Sequence, residues 1–234
     1  MSVVTTGASW LSLPSPGSVR SASGWYLIPS ADATDYQVGQ RFENANVLRW
    51  VSLFFTGPDI PGQEASATVI AQPVEQVNGL GSTYVNAWAY AMSVWDDSGG
   101  TKTLHLYVRL QADTSLQHFS IVTSTGTPTN LFALGDGDLA DAAFSGGRCT
   151  ALKAWTRVLS AADALAESYS RAPVNASGLY SYVPCVRGST LGQDIGGGGH
   201  DWSVIGTGLS IDAIEPYVFA KPGALFQGNT TLVL

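Results

Sequence analysis

The chain has 234 residues, 45% of them hydrophobic and only 12% charged, which excludes disorder and leaves room for one large β domain or two small ones. A formal net charge of −7 with a pI near 4.7 argues against a phosphate-backbone binder, which needs clustered Lys and Arg, so nucleic acid is not an expected partner. No apolar run reaches the roughly 18 to 20 residues of a membrane helix, and Met1-Ser-Val-Val-Thr-Thr lacks the basic start and apolar core of a signal peptide. The expectation is a soluble chain made in the cytoplasm, with no membrane partner.

In chain order, Val47 to Phe55 and Ala67 to Gln72 read as strands, set apart by Gly57-Pro-Asp and Pro61-Gly. Asn86 to Trp95 alternates Trp88, Tyr90, Met92 and Val94 with Ala87, Ala89 and Ala91, and Asp96-Asp-Ser-Gly-Gly100 turns it back as a hairpin loop. In the strand that follows, Leu104, Leu106, Val108 and Leu110 share one face, while Thr103, His105, Tyr107 and Arg109 share the other. That alternation predicts a half-buried antiparallel strand, and Gln117 to Thr123 continues the meander up to Gly126-Thr-Pro.

Phe144 to Glu167 then passes from strand to helix without a linker. Up to Thr156 the pattern sets Cys149, Ala151 and Trp155 on one side and Leu152 and Ala154 on the other, as in a strand covered on both faces. At Ser160 the period changes. Ser160 with Asp163 is a capping-box-like start, and Leu165 and Tyr169 fall four apart on one helical face. Many strands joined by tight turns, with one late helix, favour a β-sandwich over an alternating α/β fold.

The run Trp155-Thr-Arg-Val-Leu-Ser-Ala-Ala-Asp163 resembles the terminal strand and short helix of the laminin-G-like, concanavalin A-like lectin/glucanase superfamily. Trp10-Leu-Ser-Leu-Pro and Gly24-Trp-Tyr-Leu-Ile-Pro are similar to that family's opening strands, and Leu48-Arg-Trp-Val-Ser-Leu-Phe-Phe to its first long core strand. The resemblance implies an all-β jelly-roll sandwich of two antiparallel sheets over residues 1–172. After Ala172-Pro173 the composition changes. Leu179-Tyr-Ser-Tyr-Val-Pro-Cys and Asp194-Ile-Gly-Gly-Gly-Gly-His look like the opening of a laminin-G-like domain placed at the wrong end. Residues 173–234 are therefore expected to form a C-terminal extension, which either completes the sandwich or packs on a neighbouring subunit. From Ile211 the chain is apolar and expected to be docked, since a free apolar tail invites aggregation.

The family's glucanases carry two carboxylates on one strand face in a Glu-x-Asp-x-x-Glu arrangement, whereas Glu43, Glu64, Glu75, Glu167 and Glu215 are scattered here. No serine elbow, zinc helix or phosphate loop is present either, so the chain is not expected to be an enzyme. Asp136, Asp138 and Asp141 place carboxylates in a Gly-rich loop in a manner suited to Ca²⁺, against the plainer reading of a solvated turn; no other cofactor is implied. Asp96 and Asp97 read as turn formers. His105, His118 and His200 read as surface or turn residues without partner histidines. Cys149 reads as a small buried apolar side chain, with pairing to Cys185 left open.

Exposed aromatics stack on sugars in lectin-like sites. Trp50, Trp88 and Trp155 sit in core patterns, while Trp25, Trp95 and Trp202 border turns and are the candidate carbohydrate contacts, with edge packing as the alternative. Two functions follow. The first is a structural virion protein, such as a phage capsid decoration, cement or fibre-associated subunit, located at the virion surface and partnered by other capsid subunits and by itself as a homo-oligomer. The second is a carbohydrate-binding module for cell-surface glycan; a glucanase-like hydrolase stands behind both.

Overall fold

The computed structural model describes residues 2–7, 9–14, 17–27, 37–44, 48–55, 66–71, 74–79, 86–123, 130–134, 144–185 and 190–212. The strands are β1 (Ser2–Gly7), β2 (Trp10–Pro14), β3 (Ser21–Leu27), β4 (Gln37–Asn44), β5 (Leu48–Phe55), β6 (Ser66–Ala71), β7 (Val74–Gly79) and β8 (Trp88–Asp96). They continue with β9 (Lys102–Leu110), β10 (Gln117–Thr123), β11 (Asn130–Ala133) and β12 (Phe144–Trp155); α1 (Ala161–Glu167) precedes β13 (Leu179–Val183), β14 (Ser203–Ile205) and β15 (Leu209–Asp212).

Two antiparallel sheets result. One runs β10-β9-β8-β3-β12-β1-β15, with β13 beside β1 along the same edge of β12; the other runs β14-β2-β11-β4-β5-β6-β7. This is an all-β, jelly-roll type sandwich with a single short helix among the described residues. The segment after residue 172 contributes to both sheets: β13 pairs with β12, β15 with β1, and β14 with β2. Residues 213–234 lie outside the described part.

Strand alternation divides the buried side chains into two cores. Between the sheets, Leu11, Leu13, Phe42 and Leu131 of one meet Tyr26, Ala91, Leu106 and Leu152 of the other. The outward face of the first sheet is also buried in part, with Trp25, Tyr90, Met92 and Trp155 packed under Leu159 and Ala164 from the helical segment. The half-buried reading of β9 is thus too simple, because Tyr107 and Arg109 on its second face are buried as well.

Two side-chain assignments change. In β12, Cys149 lies with Leu152 and Ala154 in the inter-sheet core, while Ala151 and Trp155 face the helix. Ala151 has φ +53°, and the pairing with β3 slips between Thr150 and Lys153, so one extra residue reverses the alternation. In α1 the capping box of Ser160 and Asp163 forms, but the helix ends at Glu167 and its buried residues are Ala164 and Glu167. Tyr169 falls beyond the helix, where its ring lies over the Arg109 guanidinium at 4.2 Å.

That guanidinium ties the helix end to the sheet. Arg109 Nε donates to Ser168 Oγ at 2.7 Å and its terminal nitrogens donate to the carbonyls of Ser168 and Asp113. A buried cation with several oxygen acceptors and two aromatic faces is satisfied without a carboxylate.

Candidate functional site

The three tryptophans expected at exposed turns are all buried: Trp25 is 1%, Trp95 2% and Trp202 3% exposed. Each has a physical reason. Trp25 sits on the outward face of the first sheet, tilted against Tyr90 at 5.7 Å and covered by Arg109 at 5.1 Å. The parity of β8 points Trp95 into the inter-sheet core, and Arg20 and Lys102 cap its ring at 4.6 and 5.7 Å. Trp202 is fixed by its backbone N–H to Gly192 O at 2.8 Å and its indole N–H to Ser181 Oγ at 3.2 Å. As exposed sugar platforms these three are therefore corrected. Trp88 and Trp155 are buried as expected, whereas the Trp50 side chain, Asp136, Asp138 and Asp141 lie outside the described residues. Among the described residues no group of three His, Cys, Asp or Glu side chains is placed to hold a metal ion.

A different cluster occupies the part of the outward face that the helical segment leaves bare. The β8–β9 hairpin closes at Asp96, whose Oδ1 accepts from Ser98 N at 2.9 Å and Ser98 Oγ at 2.6 Å; the Ser98 hydroxyl holds the carboxyl below its ordinary range. The register sets Tyr107 opposite His118, His105 opposite Ser120 and Thr103 opposite Val122. All six share the outward face by alternation. Toward the sheet edge this surface is open: His118 and Ser120 are exposed, and Val122 is 63% exposed.

His105 and His118 are partners, contrary to the reading of isolated histidines. Nδ1 of His105 and Nε2 of His118 lie 3.0 Å apart, with ring centroids at 5.2 Å and planes 26° apart. The centroid separation equals that N···N distance plus the two centroid-to-nitrogen radii of imidazole. The nitrogens therefore lie close to the line between the centroids, and the rings meet edge to edge as one plate twisted by 26°. Tyr107 lies close to parallel with both, at 13° and 14°, with centroids 6.1 and 4.6 Å away. The N···N contact requires one shared proton, so one ring donates and the other accepts. Burial lowers the pKa of both histidines; at His105 the neighbouring His118 lowers it further, while Asp96 opposes. The plate is accordingly uncharged at neutral pH. Chemically it is an aromatic shelf with a carboxylate at one end and hydroxyl-bearing Ser120 and Thr103 at register positions around it.

The glycine loop is built for packing. Asp194 Oδ1 accepts from Tyr182 N and Gly196 N at 2.8 and 2.7 Å, and Oδ2 from His200 N at 3.1 Å. His200 stacks on Tyr180 at 3.6 Å and 7°. A Cβ on Gly192 would collide with the Trp202 carbonyl, and one on Gly198 with that of Tyr180.

No family model matches this chain, and no curated protein is similar to it. Among solved structures it is similar to the CBM40 of a Ruminococcus gnavus IT-sialidase bound to alpha2,3 sialyllactose, at 12% identity over 63% of this chain and 81% of that one, TM-score 0.40. A native heptameric SAP-like pentraxin from Limulus polyphemus gives 10% identity over 91% and 90% of the two chains, TM-score 0.42. A scytalido-glutamic peptidase with a transition state analog inhibitor gives 11% over 68% and 86%, TM-score 0.39. Likenesses at this level leave the chain's own residues as the guide to what it does.

Proposed function

We propose that the chain is a non-enzymatic, lectin-like binding subunit that holds a cell-surface glycan against the plate of His105 and His118 backed by Tyr107. The near-coplanar imidazole pair on an uncovered sheet face carries this reading. A flat, uncharged aromatic surface suits the apolar C–H face of a sugar ring, and the two imidazole nitrogens outside the pair contact, His105 Nε2 and His118 Nδ1, one a donor and one an acceptor, supply directed polar contacts together with Asp96 and Ser120. Catalysis has no comparable support, since the scattered Glu residues include Glu167, which is committed to a buried ion pair. Glycan-array binding tests the proposal. His118→Ala and His105→Ala should each reduce the signal about tenfold or more, a difference of about 1.4 kcal/mol. Trp95→Phe should leave it unchanged. A wild-type protein that binds no glycan sinks the reading.

The setting we propose is a virion surface, with the chain serving as a capsid decoration, cement or fibre-associated subunit. The support is the position of β15, the last strand of the first sheet, whose outer edge is unpaired among the described residues and from which the apolar 213–234 segment departs. Such an edge suits strand addition by a second copy. Deleting 213–234 should lower the number of copies in the native assembly, read from its mass, while leaving the circular dichroism of the sandwich intact. An unchanged copy number removes the tail from assembly.

A further inference from the structure

We propose that Cys149 and Cys185 form a modification site: a core dithiol that a low-molecular-weight disulfide oxidises to an intramolecular bond. They are the only cysteines in the chain, and the fold brings them into one inter-sheet cluster at 0% and 2% exposure. The pairing of β12 with β13 does this. Leu152 lies opposite Val183, and just beyond that pair the Thr150 hydroxyl donates to Pro184 O at 3.0 Å. Cys149 and Cys185 flank that contact, one on each segment.

Both side chains lie in the same buried cluster, beside Tyr26. Tyr26 is the β3 partner of Cys149, and its hydroxyl is pushed up by burial and then by both cysteines. The Cys149 thiol is pushed up by burial and then by its hydrogen-bond contact with Cys185. Cys185 also has φ +56°, in the left-handed region that a Cβ-bearing residue rarely adopts. With that backbone its Sγ turns inward and donates to Val183 O at 3.7 Å. Strain retained at a buried cysteine that meets the only other cysteine is the geometry expected of a pair.

The chemistry balances with one oxidant molecule. One thiol loses its proton and attacks a sulfur of the small disulfide RSSR, giving a mixed disulfide and releasing RS⁻. The second thiol, deprotonated in turn, attacks the protein sulfur of that mixed disulfide and expels the other RS⁻. The two protons lost by the protein return to the two thiolates, so two cysteine thiols and RSSR become one protein disulfide and two RSH. Burial of both thiols and the raised pKa of Cys149 make attack slow in the closed fold, so oxidation belongs to folding or to transient opening. The product would fasten β13, the first strand of the tail, to β12 and enclose α1 in the closed loop. A subunit synthesised reduced would thereby be locked after meeting an oxidising exterior. This does not depend on glycan binding.

The test is to refold the full chain in glutathione buffer dominated by oxidised glutathione, then denature, alkylate and weigh it. The expected result is a chain two hydrogens lighter that takes no alkyl group, with the Cys149 and Cys185 peptides joined and the unfolding temperature raised relative to the reduced protein. Cys149→Ser and Cys185→Ser should each abolish the mass change and the shift. Two alkyl groups or glutathione adducts per refolded chain, under conditions that pair thiols in a model dithiol peptide, would overturn the proposal. A bond that forms but lowers the unfolding temperature would overturn it equally.

Discussion

Lys153 and Glu167 form an ion pair inside the protein, with Nζ 2.8 Å from Oε2 and side-chain exposures of 1% and 0%. It joins the outward face of β12 to the last residue of α1. Every other bond of the pair runs to nearby backbone: Nζ also donates to Ser170 O at 2.8 Å, while Oε1 accepts from Val174 N and Asn175 N at 2.9 and 2.7 Å. Burial lowers the Lys153 pKa and the adjacent Glu167 opposes that. Removing one partner of such a pair leaves an uncompensated charge in a dry site. Glu167→Ala should therefore cost about 3–5 kcal/mol, read as a lower urea midpoint. Lys153→Met should cost less, because the carboxylate keeps its two backbone donors.

Acid should weaken the protein through the histidine plate. Both folded pKa values lie below the ordinary 6.5, so over the window below 6.5 the unfolded chain binds protons that the folded chain refuses. The stability contribution is present above 6.5, falls as pH drops through that value, and levels off once the folded pair has itself titrated. Urea midpoints at pH 7.5 and pH 5 should show the loss, and His105→Gln with His118→Gln should shrink it. An equal loss in the double variant would place the acid sensitivity elsewhere.

Trp25→Ala and Trp202→Ala should act on stability, at about 3–5 kcal/mol each, since both rings are inside. With Trp10 and Trp50 replaced by Phe, the fluorescence of the remaining five tryptophans should stay insensitive to aqueous quenchers until the chain unfolds. A strong quench of that folded variant would contradict the burial of these rings.

Gly192 and Gly197 share a positive φ but not their surroundings. At Gly192, φ +75°, an added Cβ meets the Trp202 carbonyl; at Gly197, φ +87°, it meets nothing within 4 Å. Gly197→Ala should cost only the left-handed penalty, about 1–2 kcal/mol. Gly192→Ala should cost clearly more, because the Trp202 N–H bond to Gly192 O is strained with it. Thermal melts of the two variants make the comparison.

Much of the sandwich is legible in local pattern. The alternation of Leu104 with His105 and the Ser160/Asp163 cap state their structure within a few residues, and the structure has β9 and the helix start where they point. The reversal at Ala151 is not legible, because alanine carries no signal for a left-handed backbone. Nor is the burial of Trp25, whose cover arrives from Arg109 and the helical segment far along the chain. The histidine plate was within reach: pairing the 102–110 and 117–123 strands antiparallel puts His118 opposite Tyr107 and diagonal to His105. What hid it was reading each histidine alone, when a site on a sheet is defined across strands.

The place of the first two strands bears on how the chain can be made. β1 has β12 and β15 as its neighbours, and β2 has β11 and β14, so nearly everything these strands pair with leaves the ribosome much later. These two strands wait for partners far along the chain, and both sheets stay open until β14 and β15 have been made. Meanwhile Leu11 and Leu13 have no core to enter. Products truncated before β14 should be degraded or aggregate rather than accumulate as shorter folded forms.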